Sequence, residues 1–116
     1  MPAISAFIID CADPDRLAAF YQAATGWDIT YRDAGFVQLG EGPIKLGFAR
    51  VDGYRPPGWP DPAKQAHLDV ATDDRDQLEK HLIALGATRP TFQPGGDDWL
   101  VLIDPAGHPF CLVNAT

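Results

Sequence analysis

The sequence has 116 residues, the usual size of one domain, and its 46% hydrophobic content is enough for a buried core. A net charge of −7 disfavours nucleic acid and anionic membrane surfaces as partners, because both are bound by basic faces. No apolar run reaches the roughly 20 residues of a membrane helix, and the N-terminus lacks the pattern of a signal peptide. We therefore expect a cytoplasmic protein. Its two cysteines, Cys11 and Cys111, are then most simply buried hydrophobic residues, and a disulfide would need the first and last strands side by side.

The first half of the chain predicts a strand, a helix and three further strands. Residues 4–11 are apolar and β-leaning, and Asp13-Pro14-Asp15 has the residues of a helix start. Gly26 is expected to end that helix. Strand-like runs bounded by glycine-containing turns follow at residues 27–32, 35–39 and 44–50.

A proline-rich segment divides the chain, and the same pattern then restarts. Residues 51–64 predict a stiff crossover without regular structure, because proline disrupts both helices and sheets. A strand is predicted at residues 65–72, and a helix from Asp73-Asp74 to Gly86. Three strands are predicted after it, at residues 88–92, 99–103 and 109–114.

The two halves match each other as repeats. Their helix starts and their helix-ending glycines are each separated by roughly 60 residues. We therefore predict an α+β fold: two βαβββ units that form one cupped mixed sheet, with a helix covering the outside of each. The single domain spans residues 1–116, with repeat one at about 1–50, the crossover at 51–64 and repeat two at about 65–116.

Strand alternation predicts polar side chains inside the cup. His67 and Asp69 share one face of their strand, while Leu68 and Val70 face the helix. His67 is a metal ligand, a general base or a hydrogen-bonded core histidine. Asp69 and Asp10 could form a carboxylate pair for proton transfer, although an Asp at a strand end more often bonds backbone or an Arg.

The last predicted strand follows a tight turn, Asp104-Pro105-Ala106-Gly107. Such a turn fixes the direction of the strand and points Cys111 towards the side of His67. Cys111 is then either a nucleophile with His67 as its base or an inert core residue.

Three aromatic residues lie beside loops rich in glycine or proline: Tyr54, Trp59 and Trp99. They line either the mouth of a pocket or a dimer seam, and both can hold at once. Arg50 ends a strand near the same rim and could pair with an acidic ligand.

Several motifs together resemble one known superfamily. The pattern Asp-Pro-x-x-Leu-x-x-Phe-Tyr from Asp13, followed by Gly26-Trp27, resembles the opening of the glyoxalase, bleomycin-resistance and extradiol-dioxygenase (vicinal oxygen chelate) superfamily. Residues 67–70 and 104–113 resemble its fifth and eighth strands. The resemblance covers essentially the whole chain and looks closest to the small glyoxalase-like domains whose crossover ends in Trp-Pro, here Trp59-Pro60. It implies the fold predicted above and a homodimer.

The resemblance also implies an incomplete metal site. Metal-using members carry His or Glu on their first, fourth, fifth and eighth strands. The first position falls on Ala6 or Phe7 and the fourth within residues 46–48, none of which is a ligand. His67 is the only matching ligand, and Cys111 stands where the eighth strand usually has Glu. Since a divalent ion wants three or four protein ligands, we expect no metal cofactor.

The chain is therefore predicted to bind a small aromatic molecule in its cup without metal, as drug-sequestering members do. The alternative is a glyoxalase-like lyase, isomerase or dioxygenase that uses His67 with a nearby carboxylate or Cys111, so enzyme activity stays an open question. The candidate catalytic residues are His67, Asp69 and Cys111. The candidate ligand-binding residues are Asp10, Arg50, Tyr54, Trp59, His67, Trp99 and Cys111.

Overall fold

A computed structural model describes residues 4–63 and 66–115. The chain divides into two compact units, one ending at Arg55 and the other beginning at Pro56. Within the described ranges, no helix is long and apolar enough to cross a membrane.

The first unit contains one helix on a mixed sheet. In chain order its elements are β1 (Ala6–Cys11), α1 (Pro14–Thr25), β2 (Ile29–Arg32), β3 (Phe36–Leu39) and β4 (Lys45–Arg50). The strand order is β1-β4-β3-β2, with β1 and β4 parallel and the other pairs antiparallel. This unit confirms the predicted order of one strand, one helix and three strands.

The helix of the first unit begins and ends where its sequence signals predict. The side chain of Asp13 accepts a hydrogen bond from the backbone N–H of Arg16 at 3.2 Å, and the left-handed Gly26 closes the last turn. The buried face of α1 packs on the sheet, where the ring of Tyr21 stacks on Phe48 at 5.5 Å between centroids. The core of this unit therefore lies between α1 and one face of its sheet.

The second unit is built from fewer strands. Its elements are β5 (Asp69–Thr72), α2 (Arg75–Ala84), β6 (Trp99–Ile103) and β7 (Pro109–Asn114). The strand order is β5-β7-β6, with β5 and β7 parallel and β6 and β7 antiparallel. Asp74 caps α2 by accepting from the N–H of Gln77 at 3.1 Å.

The predicted strand at residues 65–72 is wrong at its start, because β5 begins only at Asp69. Gln65 lies outside the described residues, and 66–68 are not in a strand. The N–H of Cys111 still donates to the carbonyl of Leu68 at 2.8 Å. The next bond in a parallel ladder would come from the residue two before Cys111, which is Pro109. Proline has no N–H, so the ladder stops there.

The predicted strand at residues 88–92 is also wrong and is reduced to a single bridge between Thr88 and Ile103. The next antiparallel pair would join Pro90 to Val101, but Pro90 has no N–H to donate. The side chain of Gln93 occupies that place. Its Oε1 accepts from the N–H of Val101 at 2.9 Å, and its Nε2 donates to the carbonyls of Val101 at 2.9 Å and Pro90 at 3.0 Å. One side-chain amide thus substitutes for a backbone peptide at the edge of β6.

We expect Gln93→Glu to lower the free energy of unfolding by about 2–3 kcal/mol, because a carboxylate cannot donate to the two carbonyls. Urea denaturation of the purified protein measures this change. The matched control is Gln77→Glu on the exposed surface of α2, which should change stability by less than about 0.5 kcal/mol. Equal stability of the two variants would show that the amide of Gln93 does not hold the edge of β6.

The turn before β7 is confirmed and is tightly bonded. The Asp104 side chain is buried, and its Oδ1 accepts from the N–H groups of Ala106 at 2.8 Å and His108 at 3.0 Å. Gly107 has a φ of 88° and packs on Pro56, so that an added Cβ would lie 2.3 Å from the Cβ of Pro56. The turn therefore requires glycine at this position and holds β7 in a fixed direction.

Candidate functional site

A cavity of about 420 Å³ lies over one face of the second unit's sheet. Alternate residues of its three strands form the floor: Asp69, Trp99, Val101, Pro109, Cys111 and Val113. Residues outside the strands complete the lining: Trp59, His67, Pro94 and Asp98. The cavity is therefore mostly apolar, with its polar groups contributed by a few side chains.

The strand register determines which residues reach this cavity. Cys111 is paired with Asp69 on one side and with Val101 on the other, so the three side chains form one row across the sheet. The intervening residues of β6 and β7 point away from the cavity and are buried: Leu100, Leu102, Phe110 and Leu112. A shift of one residue would exchange the two sets, so the hydrophobic core fixes the floor of the cavity.

The polar part of the cavity is a cluster of three side chains. The Nε2 of His67 lies 3.3 Å from the Oδ1 of Asp69, and both side chains are about half exposed. The imidazole nitrogen, the carboxylate oxygen and the Sγ of Cys111 all lie within 4.8 Å of one another. Cys111 itself is only 7% exposed. The arrangement places a base and a thiol together at the floor of an apolar cavity.

The two indoles of the cavity are held by the loop before β6. The Nε1 of Trp59 donates to the carbonyl of Phe92 at 3.1 Å, and the two rings lie 6.1 Å apart between centroids. Gly95 lies under Trp99, where an added Cβ would be 2.5 Å from the indole Cδ2 and from the carbonyl oxygen of Trp99. Both aromatic walls therefore depend on the backbone of residues 92–95.

Residues 6–113 match the family model of the glyoxalase-like domain. The chain belongs to this family. A comparison with curated proteins finds no match.

Solved structures show the same fold. A glyoxalase/bleomycin resistance protein/dioxygenase family enzyme from Burkholderia phytofirmans PsJN is 24% identical, with a TM-score of 0.71 over 97% of this chain and 98% of that one. A bleomycin-binding protein in complex with bleomycin is 23% identical, with a TM-score of 0.60 over 100% of both chains. A lactoylglutathione lyase from Agrobacterium tumefaciens is 20% identical, with a TM-score of 0.63 over 97% of this chain and 93% of that one. These likenesses confirm the predicted α+β glyoxalase/bleomycin-resistance fold.

The structure brings together five of the residues predicted for the site. The cavity of this glyoxalase-like domain is lined by Trp59, His67, Asp69, Trp99 and Cys111. The assignment of these residues to ligand binding or catalysis stays a prediction.

The other three predicted residues belong to the first unit. Asp10 is exposed on β1, and Tyr54 is half-buried beyond β4. The guanidinium of Arg50 donates to the carbonyl of Ala34, which is a structural bond at the end of β4. A ligand role for Asp10, Arg50 and Tyr54 therefore stays a prediction from the sequence.

Sequence reasoning missed several residues of the lining. Alternation from Trp99 would have placed Val101 on the same face, and the same step from Cys111 would have placed Pro109 there. Pro94 and Asp98 lie in an irregular loop, where no periodic signal indicates direction.

Two of the four ligand positions that the resemblance implies lack a donor atom in this glyoxalase-like domain. The first and fourth positions carry side chains without a donor atom, at Ala6 or Phe7 and at residues 46–48. Asp69 adds a carboxylate beside His67 and Cys111 that the family pattern did not predict. The absence of a metal cofactor thus stays a prediction. Elemental analysis of the purified protein would test whether the three clustered donors hold a metal ion.

Proposed function

We propose that this glyoxalase-like domain binds a small aromatic molecule in the cavity of its second unit, and that binding needs no metal ion. The observation that carries the proposal is the pair of indoles, Trp59 and Trp99, on a cavity of about 420 Å³. Ligand cavities commonly measure 300–1,000 Å³ and combine apolar walls with a few polar groups. Planar rings stack well on indole faces, so aromatic molecules fit this lining best.

The charged residues of the lining favour a cationic ligand. Asp69 and Asp98 contribute carboxylates, and none of the described lining residues is Lys or Arg. Indole faces also attract cations, most strongly where water is excluded. An aromatic cation therefore satisfies both features of the cavity, whereas an aromatic anion meets the carboxylates unfavourably.

A series of ring-matched probes tests this proposal: N-methylquinolinium, quinoline and 2-naphthoate. Isothermal titration should show one saturable site that binds the cation most tightly. The anion should bind at least about 10-fold more weakly, a difference of about 1.4 kcal/mol in binding free energy. Asp98→Asn should reduce the preference for the cation by up to about 5-fold, as expected for an exposed charge.

Asp97→Asn provides the matched control, since Asp97 is also exposed in the same loop but does not line the cavity. It should leave the ratio of the cation and anion affinities unchanged. Equal affinities for the three probes would contradict the electrostatic part of the proposal. No saturable binding of any probe would contradict the proposal itself.

A second candidate function is a glyoxalase-like enzyme that uses His67 with Asp69 or Cys111. The observation that favours it is the grouping of the three side chains within 4.8 Å. The enzyme hypothesis requires turnover that is lost in His67→Ala, and a stoichiometric metal in freshly purified protein if the cluster holds one. Elemental analysis and an assay of that variant separate it from metal-free binding.

The homodimer that the resemblance implies also stays a proposal. It is supported by two large apolar side chains that are exposed in one row of the first unit's sheet, Ile8 and Tyr31.

A further inference from the structure

We propose that Cys111 captures its ligand covalently when that ligand is an aromatic molecule carrying an electron-poor double bond, such as an enone, a maleimide or a quinone. This inference rests on the proposed function, because the ring must first enter the cavity. The proposal is that reversible binding is followed by covalent addition of the Cys111 thiol to the ligand. It also assigns a ligand class, aromatic Michael acceptors, that the cavity would retain in preference to inert aromatics.

The position of Cys111 supports this role. The residue lies in the middle strand of the sheet, between Asp69 on β5 and Val101 on β6. It is part of the cavity lining together with both indoles. A ring placed between the cavity walls therefore lies above the thiol, which is the proximity that accelerates addition.

Burial restricts which molecules reach the thiol. Cys111 is 7% exposed and lines the cavity, so we expect a reagent to reach it through the cavity. Cys11 is 0% exposed, does not line the cavity, and donates from Sγ to the carbonyl of Ala49 at 3.5 Å. The chain thus contains its own control thiol, which should not react in the folded protein.

The neighbours of Cys111 supply the proton transfers that addition requires. The thiolate is the nucleophilic form of cysteine, and an adjacent imidazole is the usual base that generates it. His67 lies within 4.8 Å of the thiol by its nearest ligand atoms, and Asp69 holds its Nε2 at 3.3 Å. Among the described residues, this imidazole and this carboxylate are the groups that cluster with the thiol within 4.8 Å.

The step is balanced without an oxidant, a reductant or a metal. The S–H proton moves to the imidazole of His67, and sulfur forms a bond to the β-carbon of the electrophile. The π pair of the double bond moves to the α-carbon and the carbonyl oxygen, and the resulting enolate takes the proton back from the imidazolium. The product is a thioether, with no leaving group and a mass increase equal to one reagent molecule.

The test compares N-phenylmaleimide with N-methylmaleimide, using intact mass and peptide mapping of the full chain. The expected result is a single adduct on Cys111 and none on Cys11. After correction for the rates with free cysteine, the phenyl reagent should react at least about 10-fold faster than the methyl reagent, because stacking on the indoles concentrates it at the thiol. The rate of adduct formation with N-phenylmaleimide should saturate as the concentration of that reagent rises.

Two variants make the test specific. Cys111→Ser should abolish adduct formation, and His67→Gln should slow it by about 100-fold, the low end of a proton-transfer contribution of 10²–10⁴. Circular dichroism of both variants establishes that they are folded. An unchanged rate in folded His67→Gln would overturn the role of the imidazole, and with it the proposed capture mechanism.

N-phenylsuccinimide, the saturated analogue, separates this inference from the proposed function. It should bind reversibly and quench tryptophan fluorescence. It should also slow adduct formation by N-phenylmaleimide competitively. Saturable binding of this analogue without any adduct from N-phenylmaleimide would overturn covalent capture and leave the proposed function intact. An adduct whose rate rises linearly and is unaffected by the analogue would show a reactive thiol without a binding site, which contradicts both.

Discussion

Trp99→Leu is expected to weaken the binding of N-methylquinolinium by about 5- to 30-fold. Leucine keeps an apolar wall but removes the indole face, and aromatic stacking with a cation contributes roughly 1–2 kcal/mol. Isothermal titration of the variant measures the loss directly. The effect should appear in affinity and not in stoichiometry, because the rest of the lining remains.

Trp27→Leu is the matched control for this experiment. Trp27 is 40% exposed and Trp99 is 39% exposed, but Trp27 belongs to the first unit and is not in the cavity lining. It should leave the affinity within about 2-fold of the original value. If the two variants bind the probe equally well, Trp99 is not part of the binding site.

Asp104→Ala is expected to lower the free energy of unfolding by about 2–4 kcal/mol. Asp104 is 3% exposed, and its Oδ1 accepts from the backbone N–H groups of Ala106 and His108. Alanine leaves both partly buried donors without that partner, which costs up to about 1–3 kcal/mol per group before relaxation. Urea denaturation monitored by circular dichroism gives the value.

Asp104→Asn tests whether the loss of stability comes from the missing hydrogen bonds or from a change in the shape of the turn. The amide oxygen of asparagine can accept both N–H bonds, so this variant should lose less than half as much stability as Asp104→Ala. Because the turn fixes the direction of β7, the alanine variant should also bind N-methylquinolinium more weakly. Equal stability of Asp104→Ala and the original protein would show that the hydrogen bonds of Asp104 do not stabilise the turn before β7.

Local signals in the sequence were sufficient for most of the fold. The caps at Asp13 and Asp74 and the left-handed Gly26 act within one helical turn, and the structure places the helix ends beside them. The last two strands were predicted with their observed bounds, because apolar runs between turns indicate buried strands. These elements depend on neighbours in the sequence.

The two errors arise where proline removes a hydrogen-bond donor from a strand pair. Pro109 ends the ladder before His67, and Pro90 prevents a strand along β6, where the side chain of Gln93 takes its place. The effect of Pro109 requires knowledge of which residue stands opposite in the neighbouring strand. Pro90, in contrast, lies inside the predicted strand at residues 88–92, where a proline already argues against regular pairing.

Cavity residues were predicted where strand alternation indicates the direction of a side chain, and they were missed in the irregular loop. His67, Asp69 and Cys111 were expected to lie together from strand periodicity, and the structure places them within 4.8 Å. Asp98 lies in the loop before β6, and its position follows from the tertiary path of that loop. Sequence patterns carry no information on such a path, because loop direction is set by contacts distant in the chain.

The central claim is aromatic binding without metal in the second unit. The most direct measurement is isothermal titration of freshly purified protein with N-methylquinolinium, before and after exhaustive dialysis against EDTA. We predict the same affinity and the same stoichiometry, one probe per chain, in both samples. Binding that disappears after dialysis and returns when zinc, nickel or iron is added would contradict the claim.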